Sequence, residues 1–156
     1  MESISQYLSE DLILFLDSNS KEEILDDLVE VLDQKKKLYD KKTFIKTILD
    51  RENLISTGIS KEVAIPHAKQ KPSRKLGFFI AIGIQKNGVD WNSLDNLPVK
   101  LIFLIVGPED KQTEYLQLLA SLTSIIRDEK IKEEILNLEA PEEIFNLFKK
   151  LDEEKS

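Results

Sequence analysis

Two stretches of this sequence, Leu76–Gln85 and Val99–Val106, are almost continuously apolar and rich in Ile, Val and Phe. A strand with one wet face alternates apolar and polar side chains, so runs without alternation read as central strands covered on both faces. The chain is thereby committed to a sheet with a layer above it and a layer below it. Its longest apolar stretch, Leu76–Ile84, falls well short of the roughly 20 residues that span a bilayer, so no membrane insertion is expected.

Amphipathic helices supply the covering layers. Ser20 followed by Glu23 forms a capping box, and Ile24, Leu25, Leu28, Val31 and Leu32 recur at helical spacing to about Lys36. Asp40 caps a second helix, with Phe44, Ile45, Ile48 and Leu49 on one face and Arg51 near its end. Tyr115 through Ile126 carries a third, Ile131, Ile135 and Leu138 a shorter one, and Pro141 opens a last helix bearing Ile144, Phe145 and Phe148. Leu12–Leu16 reads as a buried strand, and Ile55–Ile65 as strand pieces and loop. Asn87-Gly88 gives a turn signal, after which Val89–Trp91 suits a short edge strand. The expected fold is α/β, a central mixed sheet of about five strands covered by helices on both faces. A length of 156 residues suits a single domain, 1–156, with its core at about 5–150 and a solvated tail at 152–156.

Much chemistry is excluded by what the chain lacks. Without Cys there are no disulfides, Fe–S clusters or thiolate metal sites, and one His cannot build a two-His metal site. No cofactor and no metal are expected. The balance of 22 Lys+Arg against 29 Asp+Glu, net −7, argues against nucleic acid, whose phosphates call for clustered cations. The opening residues, Met1-Glu-Ser-Ile-Ser5, have neither a basic nor an apolar leader region, and a cytoplasmic setting is the expectation. Gly83–Gly88 is the nearest approach to a phosphate loop, but Val89-Asp90 follow where Lys-Ser/Thr is required.

That leaves His67, in Val63-Ala-Ile-Pro-His-Ala68. Proline has no N–H to join a ladder and pushes its predecessor into extended geometry, so Ile65-Pro66 is expected to end a strand and present His67 at its carboxyl edge. A neutral imidazole there has a lone pair free to attack. Upstream lies Arg51-Glu-Asn-Leu-Ile-Ser-Thr-Gly58, where Arg51 offers a planar charged fork, Ser56 and Thr57 offer hydroxyls, and Gly58 permits close backbone approach. Taken singly, Arg51 also reads as a helix-end cation and the Ser-Thr-Gly as an ordinary turn. Together they suggest an anion site around a nucleophilic imidazole.

Arg51-Glu52, Ser56-Thr-Gly-Ile59 and Val63-Ala-Ile-Pro-His67 closely resemble the active-site signature of the mannitol/fructose-class EIIA domains of the bacterial phosphoenolpyruvate-dependent phosphotransferase system. Asp90-Trp91, Asp95–Val99 and Leu101–Ile105 resemble that family's second block, and the Ser-Thr-Gly-Ile stretch is closest to its nitrogen-regulatory branch. The resemblance implies the EIIA fold and a phosphorelay. His67 would accept a phosphoryl group from a phosphorylated HPr-type carrier, Arg51 would stabilise its charge, and Ser56, Thr57 and Tyr115 would line the pocket. The downstream partner would be a regulated protein or an EIIB domain. A protein-binding module that leaves His67 unphosphorylated is the remaining alternative. Tyr115 stands where many members carry a second His; a phenol can donate a hydrogen bond but does not become cationic.

Overall fold

The computed structural model describes residues 3–54 and 57–155. Two short 3-10 turns lead into strand β1, Ile13–Phe15, followed by helices α1, Lys21–Gln34, and α2, Lys41–Leu54. Strands β2 (Gly58–Ser60), β3 (Val63–Ala64), β4 (His67–Gln70), β5 (Phe79–Val89) and β6 (Val99–Pro108) come next, then helices α3 (Gln112–Ile126), α4 (Glu129–Asn137) and α5 (Pro141–Lys155). The strands fill five positions of one mixed sheet, ordered β1-β5-β6-β3-β2, with β4 following β3 along the same edge of β6. No described helix is long and apolar enough to cross a membrane.

The two apolar runs are the paired central strands β5 and β6, antiparallel from Phe79–Val106 through Ile84–Leu101. Their side chains divide between two cores. Ile80, Ile82 and Ile84 with Leu101, Phe103 and Ile105 pack against α3, α4 and α5. Ala81 with Ile102, Leu104 and Val106 packs against α1 and α2. A two-residue period therefore accounts for the absence of a polar face: both faces are inside. Ser20 is the N-cap of α1 as read, its Oγ accepting from Glu23 N at 3.1 Å.

Three expectations are corrected. Asn87-Gly88 does not turn the chain. Strand β5 runs through it to Val89, with the register shifting between Ile84 and Val89, and Gly88 takes φ +82°, a bulge conformation that only glycine adopts cheaply. Trp91, expected within a short edge strand Val89–Trp91, lies beyond the end of β5 and is completely buried. Separately, α5 continues to Lys155, with Glu153 and Glu154 exposed. There Asp152 accepts hydrogen bonds from Ser3 Oγ (2.9 Å), Ile4 N (3.0 Å) and Ser5 N (2.9 Å), closing one terminus on the other. Lastly, Ile65-Pro66 interrupts a strand instead of ending it. Ile105 N donates to Pro66 O at 2.9 Å, and pairing on β6 resumes at His67. The missing proline N–H breaks the ladder for one step while the carbonyl keeps the track.

Candidate functional site

His67 opens β4, half-buried, with Arg51 reaching it from the last turn of α2. Arg51 Nη2 lies 2.7 Å from His67 Nε2, and His67 Nδ1 lies 2.7 Å from the Ile65 carbonyl oxygen. A guanidinium only donates and a carbonyl only accepts. The ring is therefore held neutral, with its proton on Nδ1 and its lone pair on Nε2. Burial, with the charges of Arg51 and Lys69 adding to it, outweighs the Ile65 hydrogen bond and holds the imidazole below the ordinary value of 6.5. A proton thus competes poorly for the lone pair near neutral pH.

Tyr115, near the start of α3, is 2% exposed and sets its ring 5.8 Å from the imidazole, centroid to centroid. Its Oη is buried with no hydrogen-bond partner among the described residues. Burial pushes the phenol up, so it stays a neutral donor. An unpaired buried hydroxyl is costly, and this one stands beside the only histidine of the chain. Lys69, which shares a side of β4 with His67 by strand alternation, pairs with Gln112 and lies 5.6 Å from the centre of the Tyr115 ring.

Of the upstream turn, Ser56 lies outside the described residues. Thr57 is buried and already committed. Its Oγ1 donates to Glu52, its N–H donates to Glu52 Oε2 at 3.2 Å, and Trp91 Nε1 donates to its Oγ1 at 3.3 Å. That hydroxyl proton is spoken for before any anion arrives, so Thr57 acts on the site's framework. Gly58 has the same character: a Cβ there would overlap the side chain of Ser93, so its bareness accommodates the β5–β6 loop.

Sequence reading named Glu52 only as part of a motif and assigned no role to it or to Lys69 and Lys21. Glu52 is buried and ion-paired with Lys21, Nζ to Oε2 2.6 Å. A signal was present: Phe44, Ile48 and Glu52 follow one another at four-residue intervals, which puts a carboxylate on the buried stripe of α2. For Lys69 the signal was its place two residues beyond His67 on one strand.

Residues 6–151 match the family model described as phosphoenolpyruvate-dependent sugar phosphotransferase system, EIIA 2. The chain belongs to this EIIA family. It is 36% identical over 139 residues to the PTS system fructose-specific EIIABC component of Bacillus subtilis, a match covering 89% of this chain and 22% of that protein. The first relatives are thus much longer, and this chain spans about a fifth of their length. It is 34% identical over 89 residues, 56% of each chain, to a nitrogen regulatory protein of Bradyrhizobium diazoefficiens. Among solved structures, nitrogen regulatory protein IIA-Ntr of Neisseria meningitidis superposes with a TM-score of 0.84 at 25% identity, covering 93% of this chain and 98% of that one. The IIA mannitol structure of Escherichia coli shares the fold, with a TM-score of 0.75 at 22% identity over 90% of this chain and 98% of that one. Family and fold agree with the resemblance carried by the Arg-Glu, Ser-Thr-Gly-Ile and Ala-Ile-Pro-His motifs.

Proposed function

We propose that this EIIA chain is a phosphocarrier that takes a phosphoryl group onto Nε2 of His67 from a phosphorylated HPr-type carrier. The observation that carries the reading is the neutral imidazole whose lone pair faces the Arg51 guanidinium. In the transfer, the Nε2–P bond forms as the donor's N–P bond breaks, and the donor imidazole leaves with that electron pair. Nδ1 keeps its proton on Ile65 throughout. Arg51, on the exposed end of α2, moves from the lone pair to the phosphoryl oxygens, where a planar fork matches their geometry. Tyr115 Oη gains the acceptor it lacks among the described residues, and the motif resemblance assigns Ser56 to the same pocket. Donor and product are both phosphohistidines, so the exchange is nearly balanced and calls for positioning and charge stabilisation alone.

A macromolecular donor must seat over the ring. Leu54, one turn beyond Arg51, and Leu116, next to Tyr115, are 85% and 55% exposed and offer apolar rim surface for such docking. Phosphorylation then alters that same surface by nearly two negative charges, which favours a regulatory output of the nitrogen type. The match to the Neisseria meningitidis IIA-Ntr over nearly its whole length supports this branch. A second reading, transport with onward transfer to an EIIB domain, is supported by the 36% identity to a fructose-specific component. A solved complex of Escherichia coli enzyme IIA-mannitol with phosphorylated IIB-mannitol shows a protein of this fold in that partnership.

Incubation with phosphoenolpyruvate, enzyme I and an HPr-type carrier should add one acid-labile phosphate to the wild type and none to His67→Ala. Wild type that stays unmodified with a competent donor contradicts the proposal. Adding EIIB domains separates the readings: transport requires that the label move on.

A further inference from the structure

Both ring nitrogens of His67 are controlled by consecutive residues of one helical turn, and only one of those residues touches the ring. Arg51 meets Nε2 directly. Glu52, about 100° further round α2, points into the protein, with its side chain 3% exposed. Its carboxylate accepts from Lys21 Nζ at 2.6 Å, from Thr57 N at 3.2 Å and from Thr57 Oγ1. Thr57 O in turn accepts from Ile65 N at 3.0 Å, and Ile65 O accepts from His67 Nδ1 at 2.7 Å. The chain of contacts runs from a buried ion pair, through two backbone carbonyls, to the nitrogen that must hold the proton.

Packing alone does not call for this arrangement. A buried ion pair gives little net stability compared with apolar side chains of similar volume, and in some proteins its use is to specify one geometry. Here Thr57 is fixed at four points. Glu52 takes its N–H and its hydroxyl proton, Trp91 binds its oxygen, and Ile65 binds its carbonyl. Pro66 follows Ile65 and restricts its backbone to extended geometry, so the Ile65 carbonyl has little freedom of its own.

We infer that Glu52, held by Lys21, is a positioning residue that fixes the tautomer of His67 by anchoring Thr57 and so aiming the Ile65 carbonyl at Nδ1. Arg51 and Glu52 together form a pincer on the imidazole, one arm direct and one relayed. The kinetic consequence rests on the phosphoryl-acceptor reading of His67; the tautomer consequence does not.

His67 is the only histidine, so its two ring nitrogens give an isolated pattern in a long-range 1H–15N spectrum of the intact protein. Wild type should show predominantly the Nδ1–H tautomer. Glu52→Gln and Thr57→Val should move the ring toward a mixture with the Nε2–H form, and Thr57→Ser should restore the wild-type pattern. Phosphate uptake from an HPr-type donor should slow on the order of tenfold to a hundredfold in the two disrupting variants. Where Glu52→Gln does not fold, Thr57→Val carries the test, because it leaves the Lys21–Glu52 pair in place. An unchanged tautomer ratio in a folded Thr57→Val protein overturns the inference even if the melting temperature falls. A wild type that takes no phosphate while its tautomer still follows Thr57 removes the proposed function and supports the positioning role.

Discussion

At the scale of single residues, the site works by withholding partners. His67 is denied a proton on Nε2 by burial and by neighbouring cations, and Tyr115 has no acceptor among the described residues. The imidazole should titrate below 6.5, and Arg51→Ala should move its midpoint upward, because a positive neighbour is lost; one-histidine NMR reads both. The linkage sign follows. A histidine whose folded pKa is depressed binds protons more readily when unfolded, so its share of stability is lost as pH falls through 6.5 toward the folded value. His67→Gln should flatten the denaturation profile across that window. Tyr115→Phe removes a hydroxyl that has no partner among the described residues, so chemical denaturation should show stability unchanged or raised by about 1 kcal/mol. On the proposed function, the same change should shorten the lifetime of a phosphohistidine formed at His67, read by the loss of label with time. Lys21→Met has the opposite sign: it strands the buried Glu52 carboxylate and should cost about 3 kcal/mol.

At the scale of elements, the hairpin between β2 and β3 sits under visible constraint. Lys61 and Glu62 both adopt positive φ, 52° and 75°, which L-residues other than Asn and Asp seldom do. They are held from outside, by Asp95 accepting from Lys61 N at 2.8 Å and by the largely buried Lys132 of α4 donating to Lys61 O at 2.9 Å. Lys61→Gly relieves one such residue at the expense of an exposed ion pair with Glu129 worth little, so thermal unfolding should show a gain of up to about 1 kcal/mol. Elements of this kind mark where sequence reading stops. The central strands and the capped helices were legible because each depends on local periodicity or on one capping residue. Pro66, by contrast, was read as a strand end, because the resumption of pairing at His67 depends on β6. The bulge at Gly88 was not legible, because Asn-Gly serves a turn and a bulge equally well and the choice is made by pairing with β6. The meeting of His67 and Arg51 was foreshadowed by their motifs. The relay behind them was not, because Lys21, Glu52, Thr57 and Trp91 come together only through tertiary packing.

At the scale of the whole molecule, two cores share one sheet, and the site lies at an edge where both layers reach it: α2 brings Arg51 and α3 brings Tyr115. The N-terminal segment is fastened to α5 by Asp152. Burial would raise that carboxyl, but the hydrogen bonds from Ser5, Ile4 and Ser3 outweigh it and hold it below 3.8. Its contribution is therefore complete above 3.8 and lost as pH falls from there through the lower folded value. Asp152→Ala should cost about 1–3 kcal/mol in chemical denaturation at neutral pH, and the difference from wild type should shrink in acid. The most direct test of the central claim is the nitrogen–phosphorus bond itself. With 15N-labelled protein phosphorylated by an HPr-type donor, the account predicts one-bond 31P–15N coupling on Nε2 of His67 alone, with Nδ1 still protonated. Coupling on Nδ1, or phosphate on any other residue, would contradict it.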